Sequence, residues 1–263
     1  MRRSTADDNY STGFVRALVG GEVNSGKTHF GSTWPAPVFI ADASEGGSRT
    51  LRVMAQYPET RALWWDPKVP PEIWEIENAM EAPQLITKLL EWKGTLPFRS
   101  LIFDTLSIFS RRAVREQRAA NPSADGRQWY GEMYAGVDAL VVRAHALPMH
   151  VCWLCHTDSD MQLTFQGRAM GSMWAYMQHK WLLHVDLSVM PNGQPEYQLH
   201  HKPWQRANWL GSKDYIAAPS PMCPSFKPMA ELLGLAERPV SLACPDFEGY
   251  SWPEGISYVT PAE

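Results

Sequence analysis

The sequence predicts an α/β fold, a single domain whose mostly parallel central sheet is flanked by helices. Three observations predict it. The chain has 263 residues, which is enough for one domain with a sizeable core. Short apolar segments typical of buried strands alternate with segments of helical periodicity, and this alternation is typical of parallel sheets. The first apolar segment also leads through a glycine-containing loop into a short helical segment.

Each predicted strand is a short apolar run bounded by polar or turn residues. In chain order these runs cover residues 14–19, 38–41, 62–65, 100–103 and 149–155. Helices are predicted at residues 27–33, 81–92 and 131–146. A hairpin of residues 181–190 and 197–201 is expected as well, because a turn sequence lies between them: Pro191, Asn192 and Gly193.

These segments also predict how the chain is organised. We expect residues 1–13 to be a flexible leader and residues 14–215 to hold the whole core. Residues 216–263 are rich in proline, and we expect them to form a C-terminal extension with one short helix at residues 229–235.

The composition indicates what class of protein this is, and it leaves open which molecule the protein binds. The net charge of −4 argues against a protein coated in positive charge, although a local basic groove remains compatible with it. No apolar run reaches the roughly 20 residues that a membrane span needs, and Arg2 and Arg3 are not followed by the apolar stretch of a signal peptide. We therefore expect a cytoplasmic protein, in which Cys152 and Cys155 are buried free thiols.

The most specific pattern lies at residues 21–28, whose letters GEVNSGKT match G-x-x-x-x-G-K-[ST] in full. Such a phosphate loop wraps a nucleotide's β-phosphate with successive backbone N–H groups, and its glycines permit the close approach. Lys27 would reach the β- and γ-phosphates as a catalytic residue, and the Thr28 hydroxyl would coordinate Mg²⁺. The residues predicted to contact the nucleotide are Gly21, Glu22, Val23, Asn24, Ser25, Gly26, Lys27, Thr28 and His29.

The expected partner of this loop is Asp104, which directly follows the apolar segment at residues 100–103. A carboxylate at the end of that strand would hold the Mg²⁺ shell opposite Thr28. The alternative is an aspartate that caps the next helix. Because the phosphate loop is present, we favour the metal role.

Hydrolysis also needs a group that orients the attacking water. Thr105, and not a second carboxylate, follows Asp104, so this group must come from elsewhere in the chain. Glu45 lies after the second predicted strand and before two glycines, which would let it approach the γ-phosphate. Asp42 is the rival, and both could be solvated loop carboxylates; we favour Glu45.

Together these motifs resemble the RecA superfamily. More narrowly, they are similar to the compact bacteriophage RecA-like ATPases linked to single-strand annealing and recombination. The resemblance covers residues 14–215 and is carried by residues 21–28, 42–47, 103–105 and 151–156. It implies a RecA-like ATPase domain that binds ATP and Mg²⁺, assembles as a homo-oligomer or filament, and acts on single-stranded DNA in the host cytoplasm.

The resemblance also implies roles for individual residues. Glu45 would be the catalytic base, and His156 would sense the γ-phosphate; the alternative for His156 is a histidine hydrogen-bonded at a sheet edge. Residues 157–174 would form a mobile loop that contacts DNA. The basic residues expected to reach the ATP of a neighbouring subunit are Lys202, Arg206 and Lys213.

The candidates for DNA contact combine basic and aromatic side chains. They are Arg127, Arg168 and Trp174. Residues 111–130 carry five arginines together with Trp129 and Tyr130, which suits a groove that follows a nucleic-acid backbone. A solvated helix face explains such a segment equally well.

Three other functions remain open at this stage. A helicase-loader or motor-type ATPase would hydrolyse ATP without stimulation by single strands. A small-molecule kinase would phosphorylate an acceptor, although no lid or acceptor motif is visible. A non-catalytic interaction protein would use bound nucleotide for structure alone.

Overall fold

The structure is a computed structural model. It describes residues 14–44, 46–92, 96–164, 176–186, 196–207, 209–212, 220–222 and 224–233. The strands among these residues are β1 (Arg16–Gly21), β2 (Val38–Asp42), β3 (Glu72–Glu75), β4 (Ser100–Asp104), β5 (His150–His156), β6 (His179–Asp186), β7 (Glu196–His200) and β8 (Gly211–Ser212). The helices are α1 (Lys27–Ser32), α2 (Gly47–Gln56), α3 (Pro58–Arg61), α4 (Glu81–Leu90), α5 (Leu106–Ala120), α6 (Gly126–His145) and α7 (Phe226–Leu232).

The strands form one mostly parallel sheet, which confirms the predicted α/β fold. Seven of them lie side by side in the order β3-β2-β4-β5-β1-β6-β7, and the short β8 also pairs with β6. The pairs from β3 to β6 are parallel. β7 and β8 run antiparallel to β6, so the predicted hairpin is confirmed in its two strands; its turn lies outside the described residues.

Two apolar layers cover the two faces of the sheet. Successive side chains of a strand point to opposite faces, and β4 shows the division: Leu101 and Phe103 pack in one cluster, and Ile102 packs in the other. The first layer contains the buried faces of α4, α5 and α6. The second contains residues of α1, α2 and α7. β1 lies inside the sheet between β5 and β6, with all six residues buried.

The predicted third strand at residues 62–65 is wrong. These residues form turns after α3, in which the backbone N–H of Leu63 donates to Thr60 O and that of Trp64 to Arg61 O. The strand beside β2 on the side away from β4 is β3 instead. Its apolar part is only Ile73 and Trp74 between two glutamates, which is too short to stand out as an apolar run.

The prediction that the core ends near residue 215 is also wrong. Phe226 of α7 is fully buried, and its ring stacks on that of Trp34 with centroids 4.2 Å apart. Its backbone N–H donates a 2.8 Å hydrogen bond to Oγ1 of Thr33, and Met229 and Ala230 are buried in the same cluster. A proline-rich composition does not prevent a short aromatic-containing helix from packing on a domain.

The remaining predictions about chain organisation are untested. Residues 1–13 and most of the predicted extension lie outside the described residues. Among the residues that are described, no helix combines the length and apolar character that a membrane crossing requires.

Candidate nucleotide-binding site

The loop at residues 21–28 leaves β1 at the carboxyl edge of the sheet and enters α1. Two left-handed residues shape it, Asn24 with φ 66° and Gly26 with φ 83°. Glycine is required at position 21, because a Cβ there would overlap Ser25 Oγ and lie 2.9 Å from Leu183 O. Glu22, Val23 and Asn24 are exposed at its tip.

Lys27 is the buried cation of this loop, with 6% of the residue exposed. Its Nζ donates hydrogen bonds to Gly21 O at 2.9 Å and to Glu22 O at 2.5 Å. Burial lowers the pKa of Lys27 to about 8, and the negative charge of Asp104 opposes this shift. An ammonium group enclosed by loop carbonyls is therefore placed to meet an anion, which would raise its pKa again.

The loop meets the end of β4 through a hydrogen bond between Thr28 and Asp104. Oγ1 of Thr28 donates to Oδ2 of Asp104 at 2.5 Å, although β5 lies between β1 and β4 in the sheet. Burial raises the pKa of Asp104, while the Thr28 hydrogen bond and the Lys27 charge lower it. The N-cap of α5 is Thr105, so Asp104 is not the cap of that helix.

The hydroxyl and carboxylate oxygens of this pair fit Mg²⁺. The ion prefers oxygen ligands and is commonly held by one or two protein groups together with phosphates and waters. A divalent cation would also hold the buried carboxylate in its ionised form, against the effect of its burial. Thr28 and Asp104 are thus the residues that would hold the ion.

The structure describes only one of the two candidate catalytic carboxylates. Asp42, at the end of β2, is 2% exposed, and its Oδ1 accepts 2.7 Å hydrogen bonds from the backbone N–H and the hydroxyl of Ser44. A Cβ on Gly47 would overlap its other oxygen. Asp42 therefore stabilises the turn into α2, and Glu45 lies outside the described residues.

His156 ends β5 and pairs in register with Gly21 of β1, so it lies at the same edge of the sheet as the phosphate loop. Burial and the positive charges of Lys27 and Arg111 lower the pKa of His156 to about 4. The imidazole is therefore neutral at neutral pH and has one donor and one acceptor nitrogen. A hydrogen-bonding side chain at this position suits both a γ-phosphate sensor and a sheet-edge histidine.

Two hydroxyls that the sequence did not single out hold the backbone around His156. Its N–H donates to Ser107 Oγ at 2.9 Å, and its carbonyl accepts from the Thr164 hydroxyl at 3.1 Å and from the Thr164 N–H at 2.9 Å. The Thr164 hydroxyl also lies 3.2 Å from Ser107 Oγ. Serine and threonine carry no sequence signal for such a role, and the contacts of Ser107 with His156 and Thr164 join residues that are 49 and 57 positions apart.

The first part of the predicted DNA loop is a packed turn. Oδ1 of Asp158 accepts hydrogen bonds from the backbone N–H groups of Asp160 and Gln162, both at 2.9 Å. The indole N–H of Trp209 donates to Met161 O at 2.8 Å. The rest of the loop, including Arg168 and Trp174, lies outside the described residues.

The candidates for contact with a neighbouring subunit have different environments. Arg206 forms an ion pair with Asp160, and both side chains are largely exposed. Lys202 is exposed, and Lys213 lies outside the described residues. Arg206 would therefore have to leave Asp160 to reach a second molecule.

The arginine-rich segment at residues 111–130 is divided between α5 and α6. Arg112 has a structural role, since its guanidinium donates to the carbonyls of Ile76 and Ala43. Arg118 lies over the Trp129 ring, with Cζ 5.6 Å from the centroid, and Arg127 is exposed at the start of α6. The segment is thus partly structural and partly an exposed surface with arginine and aromatic side chains.

Comparison with known proteins gives little beyond this geometry. No protein-family model matches the chain, and no curated protein matches it. Among solved structures, the chain is similar to a KaiC-like protein from the hyperthermophilic archaeon Pyrococcus horikoshii OT3, with 10% sequence identity, a TM-score of 0.42, and coverage of 72% of this chain and 77% of that one. The geometry of the site is therefore the evidence for function.

Proposed function

We propose that this protein is a RecA-like P-loop ATPase that binds ATP with Mg²⁺ and hydrolyses it. One observation carries the proposal: the 2.5 Å hydrogen bond from Thr28 to Asp104, directly beside the buried ammonium of Lys27. It joins the two halves of a nucleotide-binding site that are 76 residues apart in the sequence. A chance glycine-rich turn would not bring a buried carboxylate to this threonine.

The residues around this pair would share the work of hydrolysis. Lys27 would neutralise charge that develops on the β- and γ-phosphates, and bound Mg²⁺ would supply further positive charge. Glu45 would orient the attacking water; the hydrogen bonds that hold its rival Asp42 in the turn to α2 support this choice. Neutral His156 would form a hydrogen bond with the γ-phosphate.

We further propose that the ATPase acts on single-stranded DNA in phage recombination, annealing or replication. The exposed Arg127 and the contact between Arg118 and Trp129 support this part, because arginine with aromatic rings suits contact with phosphates and bases. Assembly into an oligomer would let Lys202, Arg206 or Lys213 reach the site of a neighbour. A loader or motor ATPase, or a non-catalytic protein, would lack the response to single strands.

The first experiment measures ATP hydrolysis with and without single-stranded DNA. Lys27→Ala is the inactive reference, and Lys68→Ala, a change at an exposed loop lysine, is the matched control. We expect Lys27-dependent turnover that single strands stimulate and double strands do not. Turnover without any response to DNA would refute the DNA role, and Lys27-independent turnover would refute the proposed site.

A second step separates catalysis from binding. Glu45→Gln should keep ATP binding and lose turnover, since the amide cannot accept the proton of the attacking water. Wild-type protein that binds ATP and never hydrolyses it would instead favour the non-catalytic interaction protein.

A further inference from the structure

The phosphate loop is in contact with a part of the fold that has no place in the proposed chemistry, the antiparallel pair β6–β7. β1 lies between β5 and β6 in the sheet. On the β5 side stand His156 and, one strand further, Asp104. On the other side Gly21 pairs with Leu183 of β6, whose carbonyl would lie 2.9 Å from a Cβ at position 21. The start of the loop is therefore packed directly on β6.

The end of the loop lies beside one side chain of β7, that of Tyr197. Tyr197 pairs with Val185 in the antiparallel register, and Leu199, two residues further along β7, is buried in the layer that contains α1. Side chains two positions apart on a strand share a face, so Tyr197 lies on the α1 side of the sheet. Its ring carbons Cδ1 and Cε1 lie 3.3 and 3.6 Å from the position that a Cβ on Gly26 would take.

Gly26 is the residue at which this contact has the largest effect on the loop. Its φ of 83° is in the left-handed region, and it is the N-cap of α1. This one residue turns the chain from the loop into the helix and so orients the N–H groups on either side of it. Because glycine has no Cβ, the Tyr197 ring lies next to the backbone of this residue rather than next to a side chain.

We propose that Tyr197 is a positioning residue for the phosphate loop. Its ring supports the left-handed turn at Gly26 from outside the loop, while Leu183 supports Gly21, so the β6–β7 pair holds the loop in its phosphate-binding shape before the ligand arrives. The inference rests on the proposed nucleotide binding. This role differs from a contact with the nucleoside. The ring would hold the loop backbone, so it would affect the binding of any ligand that carries phosphate groups.

The test uses a ligand that has phosphates and no nucleoside. We would measure the Kd of inorganic tripolyphosphate and of ADP, both with Mg²⁺, for wild type, Tyr197→Ala and Tyr197→Phe. Tyr57→Ala is the matched control, because Tyr57 is an exposed tyrosine (50%, against 43% for Tyr197) outside the site. Tyr197→Ala should raise the Kd of both ligands equally, by about tenfold, which corresponds to about 1.4 kcal/mol of binding free energy. Tyr197→Phe and Tyr57→Ala should bind as wild type does.

Amide hydrogen exchange in the ligand-free protein gives an independent measurement. In Tyr197→Ala, residues 21–28 should exchange faster than in wild type, while β4 and β5 should keep their protection. Loss of ADP affinity with unchanged tripolyphosphate affinity would overturn the inference in favour of a nucleoside contact. Unchanged exchange at residues 21–28 would overturn it too, whether or not the wild type binds nucleotide. Absence of all ligand binding in the wild type, with faster exchange in the variant, would refute the proposed function alone.

Discussion

Replacement of Phe226 by alanine tests whether α7 belongs to the core of the nucleotide-binding domain. Phe226 is fully buried and stacks on Trp34. Three further rings, those of His150, Trp181 and Trp65, have centroids 6.3 to 6.4 Å from its own. The substitution would remove all four ring contacts and leave a cavity that this rigid aromatic cluster cannot fill.

The expected loss follows from this burial. Phenylalanine-to-alanine changes in cores lower the free energy of unfolding by about 3–5 kcal/mol. The hydrogen bond from the backbone N–H of residue 226 to Thr33 survives the change, so we expect about 4 kcal/mol. At roughly 2–4 °C per kcal/mol for a chain of this size, the Tm should fall by about 8–16 °C.

The assay is urea denaturation followed by tryptophan emission, with thermal denaturation followed by circular dichroism. Lys227→Ala is the control, since this side chain is the next one in α7 and its Nζ makes only an exposed, 3.4 Å contact with Ala62 O. The control should change the free energy of unfolding by less than about 0.5 kcal/mol. A loss below about 1 kcal/mol for Phe226→Ala would refute the docking of α7 on Trp34.

Two predictions concern the site itself. Asp104→Asn should leave the ligand-free protein at least as stable as wild type, because burial raises the pKa of Asp104 and so disfavours its charged form. In the same variant, Mg²⁺-dependent ATP turnover should fall by about 100-fold or more. Lower thermal stability with unchanged turnover would contradict this. Phosphate binding favours the protonated form of Lys27, whose pKa is about 8. The affinity for ADP should therefore fall as the pH rises from roughly 7.5 to 9.5. Calorimetry should show a fall of up to about tenfold per pH unit. Lys27→Met should bind weakly throughout, and a fall of the same size in that variant would assign the titration to another group.

The sequence could predict those parts of the site that are determined by residues close together in the chain. The spacing of Gly21, Gly26 and Lys27 is set within one loop, so eight residues are enough to recognise it. Asp104 could be recognised because it ends an apolar strand, and the carboxyl ends of parallel strands meet at one edge. The Thr28–Asp104 hydrogen bond follows from these two facts together.

The parts that the sequence could not predict depend on contacts between distant residues. β3 has two apolar residues between glutamates, and only its pairing with β2 makes it a strand. Phe226 lies in a proline-rich segment, and only the Trp34 ring identifies it as a core residue. Tyr197 shows the same limit, since half-exposed tyrosines are common on edge strands and its contact with Gly26 exists only in the folded sheet.

The strand order has a consequence for how the molecule is made. Both strands that pair with β1 come from much later in the chain, since β5 and β6 begin at His150 and His179. Because the ribosome synthesises the chain from its N-terminus, β1 is made well before the two strands that pair with it. The nascent chain carries this apolar strand unpaired at least until β5 has been made, and long-range parallel pairing of this kind is slow and exposed to aggregation. A fragment that stops before residue 150 would contain the whole phosphate-loop motif and still lack both strands that pair with β1.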